Sequence, residues 1–203
     1  MVTHIIRAGS RRVAIAAIVM ASASCGTLTR QGTSFSYLIV NELVAASGAE
    51  PGTFGATLYS DVQTVVADVP TIFSDLGRIR LSLALKDPGP STGPTIPSTN
   101  NFVTLTQYHV GYTRADGRNT PGVDVPYAFD GAITATVTAE ITQSFELVRH
   151  IAKKEAPLAA LARNGVIIGS IAEVTFYGHD QTGRQVVATG KILVEFGNFG
   201  DPQ

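Results

Sequence analysis

The chain has 203 residues, of which 15 are basic (Lys or Arg) and 16 are acidic, so its formal net charge is −1 at pH 7. This near balance, without a cluster of basic residues, excludes the electrostatic attraction to phosphates on which nucleic-acid binding depends. A single cysteine excludes a disulfide framework, and a 44% share of hydrophobic residues indicates that a buried core holds the fold together.

The first 24 residues have the composition of an export signal. They contain no Asp or Glu, carry Arg7, Arg11 and Arg12, and then run apolar from residue 13 to residue 20. This apolar run is much shorter than the roughly 18 to 20 residues that cross a bilayer as a helix. Small residues follow it directly, as they do at a cleavage site. We therefore interpret residues 1–24 as a signal peptide that is removed on export.

The single cysteine stands directly after this segment. Ser22, Ala23 and Ser24 precede Cys25, and in this order of signal, small residues and cysteine the chain resembles a bacterial lipoprotein precursor. The resemblance implies that Cys25 is acylated and that its lipid anchors the protein at the outer membrane or the cell surface. Ordinary secretion is the alternative, because Ala21, Ser22 and Ala23 also form an acceptable cleavage site and Cys25 would then remain a free thiol.

The chain after the cysteine begins with a spacer and then shows strand patterns. Residues 25–35 are small and polar, and we interpret them as a tether to a folded domain at residues 36–203. Residues 36–45 predict a first strand, and residues 57–68 are compatible with a second. From residue 77 to residue 86 apolar and polar side chains alternate with period 2, which predicts a strand with one wet side. The side chains on its inward face are Ile79, Leu81, Leu83 and Leu85.

Residues 87–101 break the strand pattern with four prolines among Gly, Ser and Thr. Proline removes backbone hydrogen-bond donors from a sheet, so this composition predicts a long exposed loop. A loop of this length is either functional or a solvated connection.

Further strand patterns follow the loop. Residues 101–114 carry dense strand signals and end at an Asp-Gly turn signal. Residues 132–141 also alternate, and a tight turn separates them from residues 144–155, so we predict that these two segments pair as neighbours. The side chains expected to face the core from the first of these segments are Tyr108, Val110 and Tyr112.

The last part of the chain predicts a hairpin preceded by a short helix. Residues 156–163 are rich in Ala and Leu, with a proline near the start and Asn-Gly after the end, which predicts one or two helical turns. Residues 170–196 consist of two alternating runs joined by a loop at residues 178–183. The side chains expected to face the core are Ala172, Val174, Phe176, Val186, Ala188, Ile192, Val194 and Phe196.

Many short strands with turn signals between them predict an all-β, antiparallel two-sheet sandwich with one short helix near 156–163. The segment YHVGYTR at 108–114 and the closing hairpin at 172–196 resemble those of bacterial immunoglobulin-like or fibronectin-type-III-like modules, and the resemblance covers residues 36–196. Such a module implies an aromatic core position. The chain has no tryptophan, so Phe176, Tyr108 or Tyr112 is expected to fill it.

One segment, residues 114–130, combines charged, aromatic and turn-forming residues. Arg and Tyr together are typical of contact surfaces. Tyr127 and Phe129 also stand two positions apart, which fits an inward strand face and predicts that both pack in the core. The candidate binding residues are Arg114, Asp116, Arg118, Asp124, Tyr127 and Phe129.

Catalytic and metal-binding patterns are weak in this chain. Asp116, Asp124 and Asp130 could supply paired carboxylates or bind Ca²⁺, but Asp in turns more simply bonds its own backbone. His109, His150 and His179 do not have the spacing of metal ligands, and we interpret them as separate surface or edge residues. We therefore expect neither a catalytic residue nor a metal nor a cofactor.

These patterns favour a non-catalytic cell-envelope lipoprotein that displays a β-sandwich for contact with a protein or a glycan. One alternative is a structural subunit of a surface filament, in which the segment at 27–38 adds as a strand to a neighbouring copy. The other is a secreted hydrolase that uses the carboxylates of the 116–130 region. The expected partners are thus the membrane through the lipid, a protein or glycan ligand, and in the filament alternative further copies of the chain.

Overall fold

The computed structural model describes residues 34–199, and these residues form two β-sheets packed face to face. The predicted all-β sandwich with little helix is confirmed. The signal peptide, Cys25 and most of the tether lie outside the described residues. The strands are β1 (Ser36–Ala46), β2 (Thr57–Asp61), β3 (Thr64–Val66), β4 (Val69–Thr71), β5 (Asp75–Leu85), β6 (Val103–Thr113), β7 (Phe129–Val137), β8 (Glu140–Val148), β9 (Ile168–Asp180) and β10 (Gln185–Gly197).

The larger sheet has five strands in the order β2-β10-β9-β6-β7. Its core is the predicted closing hairpin, since β9 and β10 are 13 residues each and pair antiparallel along their length. The expected alternation is confirmed there, because the predicted inward residues of both strands are buried. The edge strand β2 is an exception to the antiparallel order and runs parallel to β10. The chain reaches β2 by crossing from β1 in the other sheet, and such a crossover, unlike a hairpin, does not force an antiparallel direction.

The smaller sheet has three strands in the order β1-β5-β8. Ile79 and Leu81 of β5 are fully buried, as the alternation predicts, whereas Leu83 and Leu85 near the strand end are only partly covered. Beside these two sheets, β3 and β4 form a short separate hairpin.

The predicted pairing of residues 132–141 with 144–155 is wrong. β7 ends at Val137 and pairs with β6 in the larger sheet, whereas β8 begins at Glu140 and pairs with β5 in the smaller one. The short link between them crosses from sheet to sheet. Alternation shows which side chains face the core, but the two sheets share one core, so alternation alone does not identify a strand's hydrogen-bonded neighbour.

Aromatic side chains occupy the centre between the sheets. Tyr108, Tyr112 and Phe176 are all buried, as their strand positions predict. The Phe145 ring of the smaller sheet lies 5.2 Å from the rings of both Tyr108 and Phe176, in edge contacts. Each such aromatic pair contributes about 0.5 to 1.5 kcal/mol beyond the area it buries. The Tyr108 ring also lies over Gly131, where a Cβ atom would come within 2.1 Å of it.

Helical structure between residues 34 and 199 is limited to three short pieces. A 3-10 helix at Leu158–Arg163 confirms the predicted short helix, and it buries Leu158 and Leu161 against the core. The strand predicted to continue to residue 155 instead ends at Val148. It is followed by a single helical turn, α1 (His150–Lys153), and the remaining piece is a 3-10 turn at Thr99–Asn101.

The sandwich has two ends, and β6 connects them. The Ser36 hydroxyl at the start of β1 donates a hydrogen bond to the Asn101 carbonyl, just before β6 begins, and Ser34 bonds to Asp180 at the same end. The exposed 87–101 loop, confirmed as predicted, enters β6 there too. β6 then runs its 11 residues to Thr113 at the other end. The first described residue and the segment after β6 therefore lie at opposite ends.

Candidate functional site

The loop at residues 114–128, between β6 and β7, gathers most of the predicted binding residues. Asp116 lies between two guanidinium groups: Arg114 donates to it at 2.7 and 3.2 Å, and Arg118 donates at 2.7 and 3.0 Å. The hydrogen bonds from Arg114, and after them those from Arg118, hold the pKa of the Asp116 carboxyl well below its ordinary value. The sequence analysis lists all three as candidate binding residues, and the structure brings them together. We call this arrangement, with Asp116 bonded to both Arg114 and Arg118, the Asp116 clamp.

The backbone of this loop is held by further local bonds. The Asn119 side chain accepts a hydrogen bond from the Arg114 N–H at 2.6 Å, and Asp124 accepts one from the Thr120 N–H at 3.1 Å. Gly122 has a φ of +74°, and the Tyr127 ring covers it so closely that a Cβ atom would not fit. The loop is therefore fixed by its own side chains, with Asp124 in the turn-forming role that its sequence position suggests.

Tyr127 and Phe129 separate, although both are predicted to pack inward. Phe129 is 7% exposed and lies beneath the Arg149 guanidinium, 4.5 Å from the ring centre. Tyr127 is 52% exposed, so its predicted burial is wrong. The reason is that β7 begins only at Phe129, and the period-2 rule does not extend into the loop before it.

A histidine and a carboxylate meet on the outer face beside this loop. His109 of β6 lies directly opposite Asp130 of β7, and its Nδ1 is 2.8 Å from the Asp130 carboxylate. A shallow groove of about 220 Å³ separates the loop from this face, and His109 and Glu173 are among the residues that line it. Sequence analysis treats His109 as a separate surface residue, because nothing in the sequence reveals the register that pairs it with Asp130.

The three carboxylates weighed for hydrolysis each have their own partner. Asp116 bonds Arg114 and Arg118, Asp124 bonds the backbone of Thr120, and Asp130 bonds His109. Among residues 34–199, no three side chains of the His, Cys, Asp and Glu types converge in a way that could hold a metal ion.

A second cluster, buried at the same end of the sandwich, is absent from the sequence predictions. The Lys153 ammonium of α1 lies 2.7 Å from Oδ1 of Asp75 at the start of β5. The two side chains are 1% and 0% exposed. A lysine so fully buried is rare, and burial without a partner would be very costly.

Hydrogen bonds complete the surroundings of this ion pair. Asp75 Oδ1 also accepts the Gly48 N–H at 2.8 Å, and Oδ2 accepts the Ser60 hydroxyl at 2.5 Å. The Lys153 nitrogen donates a second bond to the Asp61 carbonyl at 2.8 Å. Burial raises the pKa of the Asp75 carboxyl above its ordinary value, and the attraction of Lys153 and these hydrogen bonds oppose the rise.

The sequence carries little signal for this cluster. Lys153 stands in a run with Arg149, His150 and Lys154, which is typical of a solvated surface, and Asp75 precedes the alternating part of its strand. Two hints are available. Asp75 shares the inward face of Ile79 by the period-2 rule, and one turn of helix after Val148, the apolar end of β8, can point Lys153 back into the core.

No family model matches the chain, and comparisons with characterised proteins and with solved structures likewise find no match. Within residues 34–199, none of the helices has the length and apolar character that a membrane crossing requires.

Proposed function

We propose that this chain is an exported, lipid-anchored and non-catalytic display module, and that its 114–128 loop binds a protein partner. The observation that carries the proposal is that the loop is both ordered and exposed. Hydrogen bonds within the loop fix its backbone, and an arginine, a tyrosine and an aliphatic side chain point to solvent. The module type that we infer is immunoglobulin-like, on the strength of the sequence resemblance.

The exposed side chains are of the kinds that dominate protein interfaces. The Arg118 side chain is 65% exposed, Val123 is 66% exposed and Tyr127 is 52% exposed. Tyr and Arg are enriched among the residues that contribute most to binding, and an exposed aliphatic residue next to them adds area that a partner can bury. Val123 favours a protein over a glycan, because a sugar offers hydroxyl groups rather than an apolar pocket.

The fixed backbone of the loop adds to the case. A loop that is already ordered loses less conformational entropy when it binds, so a modest contact area suffices for specific binding. The Asp116 clamp provides this order, since it ties Arg114 near the loop's start to Arg118 four residues later.

The position of the loop also supports display. It lies at the end of β6 opposite to Ser34, the end through which the chain would continue toward an acylated Cys25. An anchor at Cys25 would therefore leave the loop on the side away from the membrane, whereas the 87–101 loop would lie toward it.

Site-specific photo-crosslinking in the native cells tests the proposal. The full-length chain is made with p-benzoylphenylalanine in place of Tyr127, and in a control in place of Tyr37, which is also exposed but lies at the opposite end. We expect a discrete protein adduct from position 127 and none from position 37, and we expect Arg118→Ala to reduce the adduct several-fold.

Three results would contradict the protein-binding proposal. These are the absence of an adduct at position 127, equal adducts at both positions, and an adduct that disappears on glycosidase treatment. The last would assign the loop to a glycan instead.

A further inference from the structure

The buried pair of Lys153 and Asp75 places an amine and a carboxyl group in contact where water does not reach. Their nearest atoms are 2.7 Å apart, and both side chains are almost completely buried. In such surroundings two opposite charges lose their hydration, which makes the neutral pair of amine and carboxylic acid accessible by transfer of one proton. A neutral, desolvated lysine amine is a nucleophile.

The Asp75 carboxyl group has hydrogen-bond donors on both oxygens, an arrangement that favours addition of a nucleophile to its carbon. The Gly48 N–H and the Ser60 hydroxyl donate to its two oxygens, and such fixed donors stabilise the negative charge that forms on oxygen when a nucleophile adds to the carbon. The Asp61 carbonyl meanwhile fixes the position of the lysine nitrogen. Two reactants held in this way react as if at very high concentration.

We propose that Lys153 and Asp75 condense to an intramolecular isopeptide bond. One proton of the ammonium first moves to Oδ1 of Asp75, the oxygen that Lys153 contacts, and the neutral Lys153 Nζ then adds to the Asp75 Cγ. The Ser60 hydroxyl stabilises the resulting charge on Oδ2, the Cγ–Oδ1 bond breaks, and Oδ1 leaves as water with its own proton and a second proton from the nitrogen. The products are one amide and one water molecule, so no oxidant, activating nucleotide or metal is needed.

This bond would go beyond the proposed function and is independent of it. It would join residues 78 positions apart in the sequence, and it would tie α1 to β5. A chain with a single cysteine has no internal disulfide with which to make such a link. An amide is moreover insensitive to the redox state of the compartment, unlike a disulfide.

Mass spectrometry of the purified full-length chain tests this proposal. Because the processing of the amino terminus also changes the mass, the decisive measurement is the tryptic digest. Trypsin does not cleave after an acylated lysine, so we expect a branched peptide that joins residues 150–154 to the peptide ending at Arg78, one water lighter than the sum of the two. Recovery of both peptides only as separate species, with trypsin cleaving after Lys153, would overturn the proposal.

Variants provide the matched comparison. Lys153→Met and Asp75→Ala remove one partner each and are expected to abolish the branched peptide. Lys154→Met changes the adjacent exposed lysine and is expected to leave the Lys153–Asp75 link intact, with the branched peptide now extending to the next cleavage site. If Lys154→Met alone abolished it, the link would involve the wrong lysine and the assignment would be incorrect. None of these results depends on whether the 114–128 loop binds a partner.

Discussion

At the scale of single residues, Tyr112 shows how one polar atom connects the two sheets. Its ring packs in the core, and its hydroxyl donates a 2.6 Å hydrogen bond to the carbonyl of Leu147 in the opposite sheet. The pairing register of β8 shifts there, since Asp75 pairs with Val148 and Leu76 with Glu146. Leu147 is thus the extra residue of a bulge, and Tyr112 supplies the partner that the ladder does not. Burial raises the pKa of the Tyr112 hydroxyl, so it stays protonated and able to donate.

The change Tyr112→Phe should lower the free energy of unfolding by about 1 to 3 kcal/mol, because it leaves a buried carbonyl without a partner while changing the packing very little. Urea unfolding followed by circular dichroism measures the effect. Tyr37→Phe on the exposed start of β1 is the control and should have almost no effect. Equal stability of the wild type and Tyr112→Phe would show that the hydrogen bond between the sheets contributes nothing.

At the scale of elements, the hairpin of β9 and β10 depends on Asp180 in its turn. One carboxylate oxygen accepts bonds from the hydroxyl and N–H of Thr182 and from the N–H of Arg184, and the other accepts the Ser34 hydroxyl. Gly183, with a φ of +82°, provides the left-handed residue that closes the turn. Asp180 therefore holds both the hairpin turn and Ser34, the first residue that the structure describes.

The Asp180 carboxyl makes the free energy of unfolding depend on pH in a defined direction. Burial alone would raise the pKa of Asp180, but the bonds from Thr182, Arg184 and Ser34 outweigh it, and the pKa lies below the ordinary 3.8. A carboxyl whose pKa is lower in the folded state stabilises the fold in its ionised form. This contribution is complete above the pKa of the unfolded chain and is lost as the pH falls through the folded value.

Asp180→Ala should therefore reduce the free energy of unfolding by about 1 to 3 kcal/mol at neutral pH, and the difference from the wild type should shrink below about pH 4. Denaturant titrations over a range of pH measure this difference. Asp87→Ala removes a carboxylate that bonds only one exposed N–H, at Gly89, and should have a smaller effect. A difference that grows on acidification would contradict the assigned role of Asp180.

Elements were also the scale at which sequence reasoning was most informative. Alternation identified β9, β10, the first half of β5 and the part of β6 from Tyr108 to Tyr112, because each of these segments has one face on the core. Alternation could not assign β8 to the smaller sheet, and it did not extend to Tyr127, which belongs to a loop. The buried pair of Lys153 and Asp75 could not be predicted either, because it depends on the tertiary meeting of α1 with β5.

At the scale of the whole molecule, the proposed lipid anchor lies outside the residues that the structure describes. The first described residue is Ser34, whose hydroxyl bonds Asp180, and the proposed lipid attachment at Cys25 precedes it in the sequence. The anchor should therefore be removable without loss of the fold.

Cys25→Ala should move the protein from the membrane fraction to the soluble fraction while its circular dichroism and thermal unfolding stay unchanged. Two acyl chains give stable membrane binding, whereas a chain with none has no such affinity. Ser22→Ala keeps a small residue before the cysteine and should leave the protein in the membrane. An unmodified wild-type species that is soluble and begins at Ser24 would contradict lipid anchoring.

If the protein carries the proposed anchor at Cys25 and binds through the 114–128 loop, the length of β6 sets a minimum height for a membrane-bound partner. Its 11 residues, at about 3.3 Å each, separate the 114–128 loop from the Ser34 end by roughly 36 Å. With β6 perpendicular to the membrane, the 114–128 loop could not contact a membrane protein in the same leaflet whose exposed segments rise only a few ångströms above the headgroups. The binding partner should then be a tall ectodomain, a freely diffusing protein or a component of the facing layer of the envelope.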